Sequence, residues 1–264
     1  MDTTLKKKVE RINQLVEVLM KRNGVMIKDL AILCGVSEMT IRRDLEVLKQ
    51  QGIVLNMNGA AIYNPNNNHR LEDETTYSLA LATTANVKEK ERIGMYAASL
   101  IDDGECVIID NGSTTEHVAQ HLNMNLKATI LTCNLNIVNQ LCNKLNIDII
   151  FGGGYYHADT RMFESPESIS LIRKTRASKV FISAMGVHET LGVTCASNYE
   201  LTTKQAIIQS GAECILLVDS SKFDSVRTCF FSEIEEFQKI ITDKNISAKW
   251  ESHILERGIE LVKV

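Results

Sequence analysis

GVSEMTIRRDLEVLKQQG, residues 35–52, carries two kinds of side chain at helical spacing. On a helical wheel Ile41, Leu45 and Leu48 share one narrow face, which must be buried. Met39, Arg42, Arg43 and Glu46 fall on the opposite side, with Thr40 on its flank. Ser37 supplies an N-cap and Gly52 closes the helix. A short polar side chain and two arginines thus occupy the N-terminal half of an exposed helix. That is the half a recognition helix lays in the major groove, where an arginine fork pairs with guanine or phosphate. A pair of arginines on a solvated face would mean little alone, so the flanking sequence decides.

Upstream, residues 4–22 place Val9, Ile12, Leu15, Val16 and Leu19 on one face, with Asn23-Gly24 as a stop signal. IKDLAILC (27–34) makes a short second helix ended by Gly35. Downstream, IVLNMNGAAIY (53–63) holds strand-like segments either side of Asn58-Gly59, a strong hairpin signal. Three helices and a hairpin outline a winged helix-turn-helix over residues 1–63, its helix-turn-helix at about 25–46. Charge agrees: residues 1–64 hold 10 Lys/Arg against 7 Asp/Glu, whereas the remainder holds 19 against 26. A basic head on an acidic body suits a DNA-binding module joined to something else.

Residues 64–85, beginning NPNNNHRLEDETT, are polar at first and hold one of the two prolines; they read as a linker or hinge. From residue 86 onward strand candidates at 106–110, 128–132, 147–151, 179–184, 213–219 and 238–242 alternate with helix candidates at 88–101, 114–122, 134–145, 165–174, 198–210 and 247–257. Such alternation predicts an α/β domain around a mostly parallel sheet, with ligands beyond the carboxyl ends of the strands. The first strand runs into IIDNGSTTEH (108–117), an aliphatic run followed by small and hydroxyl residues at the start of a helix. Free backbone N–H groups at such a turn are a common phosphate cradle, although a plain helix cap has the same composition.

KDLAILCGVSEMTIRRDLEVLKQQGIV (28–54) resembles the helix-turn-helix of the DeoR family of bacterial transcriptional regulators, with VSEMTIRRDL as its most specific part. The resemblance implies that Ser37, Met39, Thr40, Arg42 and Arg43 face double-stranded operator DNA. From about Lys88 onward the chain is similar to that family's sensor domain, whose fold is like ribose-5-phosphate isomerase and which binds sugar phosphates. Asp110, Gly112, Ser113, Thr114 and Thr115 stand where the family has its phosphate loop. Asn134, Gly153 in the Gly152-Gly153-Gly154 turn, Glu200, Lys204 and Lys222 in VDSSKF match further effector positions. Physically, Lys204 or Lys222 would supply counter-charge, while Asp110 and Glu200 would accept hydrogen bonds from sugar hydroxyls. The chain departs from the family at Gly186-Val187-His188-Glu189, where most members have Gly-Ala-Asp-Gly. Gly-Val-His, the GVTCAS turn and Ser-Lys-Phe resemble the deoxyribose-responsive branch and imply a deoxyribose phosphate effector touching His188. His117, just inside the helix after the loop, reads as structural.

The resemblance implies a repressor that acts as a homo-oligomer, releases DNA on binding effector through the 64–85 hinge, and needs neither cofactor nor metal. An isomerase or deaminase with a DNA-binding appendage is the alternative, but the acidic loop such chemistry requires is replaced by Gly-Val-His. A nucleotide switch has no support, since no GxxxxGK[ST] sequence is present. Seven cysteines without CxxC spacing suggest free thiols in a reducing cytoplasm and make a zinc site improbable. No membrane-length apolar run or apolar leader stands out, so a cytoplasmic protein is expected.

Overall fold

The computed structural model describes residues 25–50, 54–57, 60–63 and 79–264, together with 11, 12, 14, 15, 18 and 19. The chain divides into two compact units, residues 1–76 and 77–264. Val9, Val16, Asn23-Gly24, Gly52, Asn58-Gly59 and the polar stretch 64–76 lie outside the described residues.

In the first unit the described residues between 11 and 19 are helical, and Ile12, Leu15 and Leu19 are buried. Strand β1 (Val25–Met26) leads into α1 (Ile27–Cys34), then α2 (Glu38–Gln50), β2 (Val54–Met57) and β3 (Ala60–Tyr63). Helix α1 stops at Gly35, whose φ of 62° suits glycine. Its N–H reaches Ile32 O, and the Val36 N–H reaches Ala31 O, a Schellman-type cap that fixes the turn into α2. Ile41, Leu45 and Leu48 of α2 are all buried beside Leu30, as their helical spacing requires. β2 and β3 pair antiparallel from Val54↔Tyr63 to Met57↔Ala60. β1 adds to the far edge of β3 through Val25↔Ala61. This two-residue strand has too little pattern to stand out in the sequence.

The second unit begins with α3 (Leu79–Ala82), in a stretch expected to belong to the linker. Leu79 is buried and its N–H donates to Asp159 O at 2.8 Å, so the apolar LALA segment joins the folded unit instead. Then follow α4 (Val87–Ala98), β4 (Cys106–Ile109), α5 (Thr115–His121), β5 (Ala128–Thr132), α6 (Leu135–Leu141) and β6 (Ile147–Phe151). A hairpin of β7 (Tyr155–His157) and β8 (Met162–Glu164) precedes α7 (Pro166–Lys174) and β9 (Ala177–Ser183). Next come β10 (Gly186–His188), β11 (Gly192–Cys195), α8 (Asn198–Ser210), β12 (Gly211–Leu217) and β13 (Cys229–Ser232). β14 (Lys239–Thr242), α9 (Ala248–Glu256) and β15 (Glu260–Lys263) complete the unit.

Seven strands form one sheet in the order β15-β14-β12-β9-β4-β5-β6, every neighbouring pair parallel. Both faces are covered, which is why its strands read as continuous aliphatic runs. Val107, Ile109, Ile215 and Leu217 face a core with Ile93, Val118 and Ile137 of α4, α5 and α6. Ile108, Cys214 and Leu216 face the opposite core with Ile172, Ile207 and Ile254 of α7, α8 and α9. The strand order reverses direction between β4 and β9, and ligand crevices in such sheets open at that point. Beyond it, β10, β11 and β13 make a small antiparallel sheet that the alternation pattern did not reveal.

The helix predicted over 134–145 runs only from Leu135 to Leu141, and Asn134 caps its start: its Oδ1 accepts from Asn136 N at 2.9 Å and Ile137 N at 3.3 Å. α4 and α5 approach closely where Gly94 meets His117; a Cβ on Gly94 would overlap the His117 Cβ. Alanine favours a helix interior over glycine by up to about 1 kcal/mol, but overpacking costs about 1–3 kcal/mol. The Gly94→Ala variant should therefore lower the melting temperature of the chain. A rise in melting temperature would mean that the two helices separate without cost.

Candidate functional site

The exposed face of α2 belongs to the first unit. Ser37 Oγ accepts from Thr40 N at 3.2 Å and lies 2.9 Å from Thr40 Oγ1, so the cap residue and Thr40 sit together at the start of the helix. Met39 is 61% exposed, and Arg43 is exposed beside it. Arg42 stands 3.8 Å from Glu38 across one helical turn, with both side chains about half exposed. So loose a surface pair holds the guanidinium weakly and leaves it available to a stronger anion. On the buried side Asp44, 2% exposed, accepts from Arg11 Nε at 2.7 Å and ties the first helix to α2. Spacing alone did not single out Asp44, because its importance comes from a partner 33 residues away.

In the second unit a small cleft opens at the reversal between β4 and β9. Asn111, Gly112, Ser113 and Thr114 line it from the loop after β4, Ser183 from the end of β9, and Ala184 and Met185 from the loop after β9. Cys195 closes β11, Glu200 and Lys204 come from α8, Lys222 from the turn after β12, and Ala82 from α3. Gly112 is required by closeness: a Cβ there would overlap Ser183 Oγ. Among the described residues, the N–H groups of Gly112, Ser113, Thr114 and Thr115 donate to no protein acceptor. The Thr115 hydroxyl instead donates to Gly112 O at 3.0 Å and stiffens the loop. The cleft thus offers backbone donors and two short hydroxyls on one wall.

Behind that wall lies a buried polar network. Lys204, 1% exposed, makes a short ion pair with Asp110, 2% exposed, and donates to Ser183 O at 3.0 Å. Its ammonium also stands 5.3 Å from the centre of the Phe231 ring. Burial alone would lower the Lys204 pKa, but Asp110 and Glu200 outweigh it and hold the amine protonated. Glu200 Oε2 accepts from Asn111 Nδ2 at 2.9 Å, and Oε1 closes a capping box with Ser197 at the start of α8. Burial pushes the Glu200 carboxyl up, against the opposing pull of Lys204.

Two further lysines approach the cleft. Asp219 Oδ1 accepts from Ser221 N at 3.1 Å and from Asn86 Nδ2 at 2.9 Å, which shapes the turn presenting Lys222. Lys90, 1% exposed on α4, donates to the carbonyl of the cleft residue Ala82 at 2.6 Å. Burial pushes its pKa down to about 8, with Asp219 working in the opposite direction. Lys90 escaped the sequence reading because EKER looks like any solvated helix face.

Of the residues expected from sequence, Gly112, Ser113, Thr114, Glu200, Lys204 and Lys222 meet in the cleft. Asp110 and Thr115 lie behind its wall, so Asp110 supports Lys204 and does not present itself to a sugar. Lys204 is correspondingly engaged by protein and is no free counter-charge. Asn134 is not in the cleft; its amide caps α6 and donates to Thr160 O. Gly153 is likewise elsewhere, its carbonyl held by Ser165 and Ser168. His188 sits on the β10–β11 hairpin, where Nδ1 accepts from Thr190 N at 3.2 Å. Asn111 and Ser183 were missed, although they stand at the carboxyl ends of β4 and β9, the strands flanking the reversal, which is the available signal.

Residues 11–67 match the DeoR-like helix-turn-helix domain, and residues 85–244 match the DeoR C terminal sensor domain. The chain is 30% identical to the deoxyribose operon repressor of Escherichia coli (strain K12), over 89% of this chain and 90% of that one. It is 30% identical to the HTH-type transcriptional repressor GlcR of Bacillus subtilis (strain 168), over 96% and 95%. Among solved structures it is similar to ribose 5-phosphate isomerase A from Methanocaldococcus jannaschii, with a TM-score of 0.40, 17% identity, and coverage of 53% and 55%. Among the described residues no helix is long and apolar enough to cross a membrane.

The Lys204–Asp110 pair generates a stability prediction. Removing one member of a buried pair strands the other charge and costs about 3–5 kcal/mol. Asp110→Ala and Lys204→Met should each destabilise the second unit by that order in urea titration. The double variant should lose far less than the two costs combined; additive losses would show that the charges do not depend on each other.

Proposed function

The chain belongs to the DeoR family of transcriptional regulators, and we propose that it represses a sugar or deoxyribonucleoside catabolic operon and releases DNA when a phosphorylated sugar fills the cleft. The observation that carries this reading is the set of unengaged N–H groups at 112–115, with the Ser113 and Thr114 hydroxyls, next to Lys222. Backbone donors and short hydroxyls suit the terminal oxygens of a phosphate, and a nearby ammonium balances its charge. The deoxyribose operon repressor among its relatives supports a deoxyribose 5-phosphate-like effector. The site of action is the bacterial cytoplasm, where operator and sugar phosphate meet. Two operator half-sites call for a homo-oligomer.

Lys90 is the residue we assign to the charge of the effector. Burial of this ammonium costs more than the attraction of Asp219 returns, which leaves it short of a counter-charge. Below about pH 8 it is protonated and favours a phosphate; as pH rises through about 8 it loses its proton and that attraction fades. The enzyme reading is less well supported, because a general base needs a carboxylate oxygen free to take a proton. Glu200 has both oxygens hydrogen-bonded; Asp110 pairs through Oδ2 with Lys204, and its unpartnered Oδ1 is buried behind the cleft lining, out of line with a sugar carbon.

On the DNA side, Ser37, Met39, Thr40, Arg42 and Arg43 form the proposed contact surface. Arg43→Ala should weaken operator binding by about 1–3 kcal/mol if it reads a base, or lower the salt slope by about one if it meets a phosphate. Fluorescence anisotropy at several salt concentrations separates the two, and unchanged affinity would misplace the recognition surface. In the cleft, Ser113→Ala with Thr114→Ala should reduce affinity for 2-deoxyribose 5-phosphate by roughly tenfold or more while sparing operator binding. Lys90→Met should weaken the effector at pH 7 and abolish the fall in affinity above about pH 8, without lowering the melting temperature. Calorimetry across pH 7 to 9 checks both, and an intact pH profile in the Lys90→Met variant would remove that lysine from the site.

A further inference from the structure

Two cysteines face each other across the small antiparallel sheet: the register of β11 and β13 pairs Cys195 with Cys229. Directly opposed residues in such a ladder hold their Cα atoms about 4.5–5.5 Å apart, inside the range of about 4.4–6.8 Å that a disulfide spans. Both thiols are free and buried. Cys195 is among the residues that line the cleft, while its side chain is almost fully buried. Cys229 lies on the side away from the cleft lining, with its Sγ 3.0 Å from Asn198 Oδ1 at the start of α8. Among the strand registers, no other two cysteines stand opposite one another.

We propose that Cys195 and Cys229 are an oxidant-sensitive dithiol in the cleft wall, closed to a cross-strand disulfide by a hydroperoxide and thereby altering the response to effector. The Cys195 sulfur attacks the terminal peroxide oxygen and keeps it with its hydrogen, the O–O bond breaks, and the departing oxygen takes the Cys195 thiol proton and leaves as an alcohol, or as water from hydrogen peroxide. Cys195 is then a sulfenic acid. The Cys229 sulfur attacks it, the S–S bond forms, and the sulfenic oxygen leaves as water with the Cys229 proton. Two thiol sulfurs are oxidised and one peroxide is reduced. Burial pushes Cys195 up to about 12 and raises Cys229 as well, so thiolate is scarce at neutral pH and the dithiol resists mild oxidants. Bond formation draws the Cys195 sulfur to about 2 Å from its partner and away from the wall near Lys204. Formation of the disulfide does not depend on what the cleft binds; its effect on regulation rests on the sugar-phosphate reading.

The test treats the full chain with hydrogen peroxide, blocks remaining thiols with N-ethylmaleimide, and maps the peptides by mass spectrometry. The expected result is a linked Cys195–Cys229 peptide pair lighter by two hydrogens, restored by dithiothreitol. In Cys229→Ser the reaction should stop at a sulfenic acid on Cys195 that dimedone captures. Full alkylation of both thiols after peroxide, or a link between other cysteines, overturns the proposal. The oxidised chain should need an effector concentration changed by about fivefold or more for half-maximal operator release. If 2-deoxyribose 5-phosphate releases the unoxidised chain, an unchanged requirement after oxidation overturns the regulatory part. A link that forms in a chain insensitive to this sugar phosphate upholds the dithiol and counts against the effector assignment instead.

Discussion

One buried ion pair organises the second unit. Asp110 is the first residue after β4, Lys204 projects from the middle of α8, and their contact joins the two sides of the strand reversal. Every other feature of the cleft hangs from it. Ser183 bridges the same loops by donating to Asn111 O at 2.7 Å, and Asn111 in turn holds Glu200. Two carboxylates and one ammonium in a water-poor pocket are stable only when each has its partner, so the network has little freedom to rearrange. Its rigidity keeps the N–H groups of 112–115 turned away from internal partners.

The first unit uses the opposite economy of charge. Among its described residues the one buried acid, Asp44, accepts from Arg11, and the other charges on α2 stay at the surface. Apolar packing by Ile41, Leu45 and Leu48 holds the helix, leaving the opposite face free of structural duties. A face with no part in holding the fold can vary with the operator it meets. The same division holds at the cleft: the ion pair preserves the frame, while Ala82, Met185 and Lys222 sit at its margin, where substitutions disturb less of the network.

Much of this was legible in the residues. The wheel of α2, the stop at Gly35 and the alternation of aliphatic runs with helices each report a local rule, and the seven-stranded sheet contains all six expected strands. The short antiparallel pieces of the second unit were not legible, since three or four residues such as Gly186–His188 carry no period and no Asn-Gly turn joins them. Pairing was hidden for a related reason. Asp110 and Lys204 resemble ligand groups when considered singly, and only the fold brings them together. Lys90 and Ser183 acquire meaning from where β4 and β9 part, which is a property of topology and not of neighbouring letters.

The separation of Asp110 from Lys204 along the chain, 94 residues, also sets an order of events during synthesis. Local helical contacts in the N-terminal unit can form as soon as they leave the ribosome, whereas the cleft cannot close until α8 has been made. A chain cut short between these points would carry a nearly finished reader of DNA and no organised receiver for its signal. Truncation would therefore fall unequally on the two activities, leaving a regulator that is deaf before it is blind.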